Sequence, residues 1–168
     1  MPIPAIETPR LILRAFTEQD IDPLHRILSE PEALRYFPQT EPPSREQVER
    51  LIARQLEHWE KYNYGWWAVT LPTDQELMGW CGLQFLPETD ETEVGYLLGK
   101  THWGQGFATE AAKASLQFGF GTLGFQTIVA IVHPENKASI RVIEKLGMSL
   151  VDRTVYFGME VFRYSTTR

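Results

Sequence analysis

The chain has 168 residues, 43% of them hydrophobic and 23% charged, with a formal net charge of −6. That length suits one domain over residues 1–168, with a core large enough to stand without disulfides or metals. The single cysteine, Cys81, excludes a disulfide within the chain, and the negative balance disfavours broad binding to nucleic-acid phosphates while suiting cationic substrates such as amines. The start of the chain lacks the succession of basic, apolar and small residues of a signal peptide, and no apolar run approaches a membrane span. The expected setting is the reducing cytoplasm, away from the membrane.

Arg10 to Phe16 alternates Leu11, Leu13 and Ala15 against Arg10, Ile12 and Arg14, which predicts an opening strand. Thr17 then caps a helix, with Asp20 standing in for the usual glutamate of a capping box. Pro31 and the segment Phe37 to Pro43 punctuate the region that follows. Ser44 and Gln47 form a second capping box, and Val48, Leu51, Ile52, Leu56 and Trp59 recur at helical spacing, so a helix runs to about Tyr62. Three strands follow, Tyr64 to Leu71, Leu77 to Leu86 and Glu91 to Gly99. Their connections are too short for crossovers, so they form an antiparallel meander.

After Gly106 the pattern turns helical, with Ala108, Ala111, Ala112, Ser115, Leu116 and Gly119 on a small-residue face, ending at Gly121 and Gly124. Phe125 to Val132 is a nearly continuous apolar run, as expected of a strand buried on both faces. Asn136 to Leu146 is a helix with its stop at Gly147, and two strands close the chain, Met148 to Val155 and Phe157 to Tyr164. This order of elements predicts an α/β fold, a mixed sheet with helices on its faces.

The main chemical feature runs from Gly99 to Glu110, between a strand and a helix. Gly104 and Gly106 make room for a tight turn, and the amides of Gln105 to Thr109 are placed to point at a diphosphate, helped by the positive end of the helix dipole. For Gly-x-Gly alone, a ligand-free tight turn is the better reading. A dinucleotide fingerprint is excluded because the third glycine is missing, and a P-loop because no Gly-Lys-Ser/Thr follows.

Two further segments change that balance. Glu93-Val94-Gly95-Tyr96 precedes the loop, and Asn136-x-x-Ser139-x-x-Val142-x-x-Lys145-x-Gly147-Met148 follows it. With Trp103-Gly104-Gln105-Gly106-Phe107-Ala108-Thr109-Glu110-Ala111 between them, the chain resembles the Gcn5-related N-acetyltransferase (GNAT) superfamily. It is most similar to the RimJ/RimL-like branch, which acetylates N-terminal amines of ribosomal proteins, and Thr8 to Arg14 also resembles that branch. The general superfamily loop begins with Gln or Arg, where this chain has Trp103.

The resemblance implies a mostly antiparallel mixed sheet, splayed between its fourth and fifth strands to admit a thioester. It implies that Trp103, Gly104, Gln105, Gly106, Phe107 and Ala108 hold the pyrophosphate of acetyl-CoA through backbone amides, with Thr109 at the end of that row. The strand Glu91 to Gly99 would pair with the pantetheine arm. Asn136 would contact the pantetheine or the helix start, and Ser139 would lie near the sulfur. A homodimer is compatible with the resemblance.

N-acylation needs a neutral amine, a stabilised oxyanion and a leaving thiolate. Glu93 is the candidate base, directly or through water, on a strand face shared with Gly95 and Leu97. That role requires partial burial to raise its pKa from roughly 4.3; the other reading is a solvated strand residue. A backbone N–H in Tyr96, Leu97 or Leu98 would hold the oxyanion, and Ser139 would donate to the departing sulfur. Ser139 also reads as a first-turn helix residue bonding local backbone. Cys81 reads as a packing group, and His25, His58, His102 and His133 lack metal-ligand spacing, so no metal is expected. Of Trp66 and Trp67, alternation sends one to the core and leaves the other for an acceptor pocket.

The reaction expected is acetyl transfer from acetyl-CoA to a primary amine in a ternary complex, the acceptor being a protein N-terminus. The alternatives are a small-molecule amine (a polyamine, amino sugar or amino acid) and a non-catalytic acyl-CoA sensor.

Overall fold

Leu11 and Leu13 are fully buried, as the opening alternation requires, and strand β2 spans Ile12–Arg14 within the expected segment. A strand of two residues, β1 (Ile6–Glu7), precedes it and pairs antiparallel with it. Two residues are too few to carry a periodic pattern, which is why alternation does not announce β1. The computed structural model describes residues 2–168.

Thr17 opens a single 3-10 turn, Glu18–Asp20, in which its N–H donates to the Asp20 carboxylate at 2.8 Å. The same carboxylate accepts two bonds from the Arg14 guanidinium, at 2.8 and 2.9 Å, so a buried charge is paired as burial demands. Helix α1 (Ile21–Leu28) follows and buries Ile21, Leu24, Ile27 and Leu28. Helix α2 (Arg45–Tyr62) starts with the reciprocal bonds its sequence predicts. Gln47 N–H donates to Ser44 Oγ at 3.1 Å, and Ser44 N–H donates to Gln47 Oε1 at 2.8 Å. It stops at Asn63, whose φ of 63° is a left-handed conformation that asparagine tolerates.

The meander consists of β3 (Trp66–Thr70), β4 (Leu77–Leu86) and β5 (Glu91–Leu98), paired antiparallel in sequence order. Helix α3 (Phe107–Gln117) is shorter than its small-residue face suggested. Its end widens into one π turn, Phe118–Thr122, closed by Leu123 N–H on the Phe118 carbonyl at 3.1 Å. Gly119 in that turn lies against the sheet so closely that a Cβ would sit 2.6 Å from Ile128 Cδ1. Then come β6 (Thr127–Val132), α4 (Lys137–Lys145), β7 (Ser149–Tyr156) and β8 (Met159–Thr167).

The eight strands form one sheet in the order β1-β2-β3-β4-β5-β6-β8-β7. Every pair is antiparallel except β5–β6, which is parallel and touches at a single register position, Glu93 opposite Val129. These two strands are the fourth and fifth of the sequence-predicted set, which lacks β1, and the sheet splays between them. α3 and α4 cover one face through Phe107, Ala111, Ala112, Leu116 and Ile143. α1 and α2 cover the other through Ile21, Leu24, Val48 and Ile52, packed on Ala68, Trp80 and Leu97. Among the described residues no helix is long and apolar enough to cross a membrane.

Candidate active site

The splay leaves part of β5 without a neighbour. Antiparallel pairing alternates the direction of successive N–H groups. Gly99 N–H donates to the Met78 carbonyl at 2.8 Å, and the β4–β5 register runs unbroken from there. The N–H groups of Gly95 and Leu97 therefore face β4, while those of Tyr96 and Leu98 face the gap toward β6. Of the three amides proposed from sequence for the oxyanion and pantetheine, Leu97 is turned the wrong way. Its N–H is committed to β4, and its side chain is buried under α1 and α2.

The same alternation sends side chains to opposite faces. Glu93 and Gly95 lie with Leu97 on the α1/α2 face. A Cβ on Gly95 would touch the Trp80 ring at 3.4 Å, and Trp80 is stacked on Trp66 at 3.6 Å between ring centroids. Glu93 is partly exposed, and burial pushes its carboxyl up to about 7. Its cross-strand neighbour is Gln84, whose Oε1 accepts from Gln55 Nε2 of α2 at 3.3 Å. Tyr156, at the end of β7, is raised by burial and then by the Glu93 and Glu88 carboxylates, which puts the β7–β8 hairpin beside the same face.

Tyr96 projects to the α3/α4 face. Its hydroxyl lies 2.7 Å from Ser139 Oγ and 3.3 Å from the Ser139 carbonyl. Burial raises the phenol above its ordinary value, so it remains protonated at any working pH. Asn136 caps α4, its Oδ1 accepting from Ser139 N–H at 3.2 Å. That bond fixes the first turn and with it the Ser139 hydroxyl. The Tyr96–Ser139 pair was not foreseen: sequence assigned Ser139 as the sole proton donor and Tyr96 only through its backbone.

Between β5 and α3, a 3-10 turn (Lys100–His102) leads into the glycine loop. Gly104 and Gly106 have φ of 73° and 81°, which an L side chain resists. Residues 103–106 are exposed, Phe107 is buried, and Ala108 and Thr109 lie in the first turn of α3. Among the described residues, no acceptor meets the N–H groups of Gly104, Gln105, Gly106, Phe107, Ala108 or Thr109. Six successive free amides at a helix start are chemically suited to an anion. Trp103 stands outside the row expected to hold the pyrophosphate, because its backbone N–H donates to the Lys100 carbonyl at 3.1 Å and its indole N–H to the Leu98 carbonyl at 2.8 Å, which ties the loop to the end of β5.

Several sequence readings resolve cleanly. Trp67 is core, with its indole N–H on the Pro4 carbonyl at 2.8 Å, and Trp66 is the half-buried partner on the α1/α2 face. Cys81 is fully buried; burial pushes its thiol up to about 12, and its Sγ lies 3.4 Å from Ser115 Oγ. A thiol held protonated in this way is a packing group. His58 is structural too: Nδ1 lies 2.7 Å from the Tyr64 carbonyl, and Nε2 accepts from Phe85 N–H at 3.2 Å. A cavity of about 400 Å³, lined by Tyr62, Tyr64, Phe85, Phe125 and Val129 among others, opens at the paired end of the splay.

Residues 10–149 match the family described as an acetyltransferase (GNAT) domain. The chain is 32% identical over 145 residues to a Bacillus subtilis protein named uncharacterized N-acetyltransferase YoaA, a match covering 86% of this chain and 82% of that one. It superposes on an acetyltransferase from Agrobacterium tumefaciens with a TM-score of 0.88 at 27% identity, over 100% of this chain and 96% of the other. RimL, a ribosomal alpha-N-protein acetyltransferase solved in complex with coenzyme A, gives a TM-score of 0.84 at 18% identity over 98% of each chain, a likeness of fold alone.

Proposed function

The chain belongs to the GNAT acetyltransferase family and is an N-acetyltransferase; from that premise we propose that it moves an acetyl group from acetyl-CoA to an α-amine such as a protein N-terminus, by direct attack in a ternary complex. The observation that carries this reading is on β5. Two free amides, of Tyr96 and Leu98, face the splay, and Glu93 stands on the same strand facing the α1/α2 side.

The residues present fit the donor. The six free amides of residues 104–109 suit its diphosphate, and the Tyr96 and Leu98 amides suit the amide-bearing arm as an extra strand would. The amine enters from the α1/α2 face and gives its proton to Glu93, directly or through water. Its nitrogen bonds to the thioester carbon, the Tyr96 or Leu98 N–H stabilises the oxyanion, and the carbon–sulfur bond then breaks. The nitrogen gives up its second proton as the adduct collapses, and the departing sulfur is protonated through the Tyr96–Ser139 hydroxyl pair, which takes up that proton in turn and ends unchanged.

Proton affinities support an α-amine over an alkylamine. A base near pH 7 lies about one unit below an α-ammonium of pKa roughly 8, but more than three below an alkylammonium near roughly 10.4. Each unit costs about 1.4 kcal/mol. Release of free thiol from acetyl-CoA, measured across N-terminal peptides, amino acids, amino sugars and polyamines, tests the reading. Faster turnover of peptide α-amines is expected. Preference for a polyamine overturns the acceptor assignment, and coenzyme binding without turnover on any amine overturns catalysis in favour of a sensor.

A further inference from the structure

Arg10 lies near the beginning of the chain, yet its side chain reaches the glycine loop. Nη1 donates to the Gln105 carbonyl at 2.8 Å. Nε and the Arg10 backbone N–H donate to the two carboxylate oxygens of Glu110, at 3.0 and 3.2 Å. The guanidinium carbon sits 4.4 Å from the centre of the Phe107 ring. Nη2 meets no acceptor among the described residues, and a Cβ on Gly106 would lie 3.3 Å from it. The backbone of Arg10 is held in turn, because Thr8 N–H donates to the Leu11 carbonyl at 2.9 Å and Leu11 N–H to Thr8 Oγ1 at 3.0 Å.

We infer that Arg10 is a positioning residue for the donor diphosphate, setting the direction of the loop amides and neutralising the acid beside them. This rests on the acyl-transfer reading above. The peptide bonds of the loop are trans, so the Gln105 carbonyl and the Gly106 N–H point in opposite directions. Drawing that carbonyl toward Arg10 turns the Gly106 amide away from it, at the N-cap of α3 and within the row of free amides. Without the guanidinium, the exposed, left-handed Gly106 leaves this peptide plane free to rotate. Glu110 supplies the second argument. A carboxylate in the first turn of α3 occupies the positive helix end that an anion needs, and pairing it with Arg10 removes that competition.

The test separates diphosphate binding from folding and from chemistry. Coenzyme A affinity is measured by calorimetry for wild type, Arg10→Ala and Arg10→Lys. Steady-state rates are measured with acetyl-CoA and with S-acetylpantetheine, which lacks the diphosphate. Arg10→Ala is expected to weaken coenzyme A binding about tenfold, a loss of roughly 1.4 kcal/mol, in line with a lost charge-assisted hydrogen bond. Its kcat at saturating acetyl-CoA and its kcat/KM for S-acetylpantetheine stay at the wild-type values. Arg10→Lys keeps the charge but cannot hold Gln105 and Glu110 together, and falls between the two. Wild-type affinity in Arg10→Ala overturns the inference, as does an equal loss with both donors, which marks a merely structural role. Wild-type affinity in Arg10→Lys overturns the peptide-plane argument, because charge then suffices. Absence of coenzyme A binding by the wild-type protein overturns the acyl-transfer reading itself.

Discussion

Glu93 and Tyr96 are three positions apart on one strand, so pleating sends them to opposite faces of the sheet. The proposed base and the proposed proton donor thus lie on opposite faces of the sheet and do not meet each other. Because burial pushes the Glu93 carboxyl up to about 7, it is half-ionised near neutrality, and wild-type kcat should fall as pH drops below that value. Glu93→Gln should lower kcat about a hundredfold or more, remove this acidic limb from the pH–rate profile and leave coenzyme A affinity unchanged. A profile identical to wild type would assign the proton to another acceptor. On the other face, Tyr96→Phe should reduce kcat about tenfold, a modest effect because a thiol of pKa roughly 8.5 leaves readily. Ser139→Ala should cost less, since the Tyr96 hydroxyl keeps the Ser139 carbonyl at 3.3 Å as a partner. Stopped-flow rates for the two variants decide the order; a larger loss in Ser139→Ala would make serine the donor.

At the level of elements, the proposed binding of the donor diphosphate falls on the loop between β5 and α3. Gly106→Val places a β-branched residue at φ 81° and a Cβ 3.3 Å from Arg10 Nη2. It should cost about 1–3 kcal/mol of stability and abolish coenzyme A binding in calorimetry. Gly121→Ala is the control: its φ is not positive and a Cβ there meets nothing within 4 Å, so binding should be unaffected. This loop was legible in the sequence because its physics is local, two glycines between a strand and a helix. The capping boxes of Thr17 and Ser44 and the bounds of β4 were legible for the same reason. What escaped were contacts between distant segments. Arg10 finds its partners 95 and 100 residues away, and Tyr96 meets Ser139 across 43. No spacing rule along one chain encodes such pairs. Leu97 escaped for a subtler reason: its membership of the strand was readable, but the direction of its amide depends on β4 register.

At the scale of the whole molecule, a sheet that functions through a gap must tolerate unpaired amides and a half-buried acid near its centre. The acid leaves a thermodynamic signature. With its pKa raised from 4.5 to about 7 by burial, Glu93 binds a proton in the folded state that it releases in the unfolded chain. Its contribution to stability is therefore fully present below about 4.5 and is lost as pH rises through about 7. His58 acts in the opposite sense. Burial lowers its pKa below 6.5, so its contribution is present above that value and lost as pH falls. The two overlap in the wild-type profile, but comparison of Glu93→Gln with wild type cancels the histidine. The variant should gain stability relative to wild type on going from pH 5 to pH 8, by on the order of 2 kcal/mol. Urea denaturation at the two pH values measures that difference of differences, which also removes any constant effect of the amide. An unchanged gap would mean that Glu93 titrates as an ordinary solvated carboxylate, and the catalytic base would then have to be sought elsewhere on the α1/α2 face.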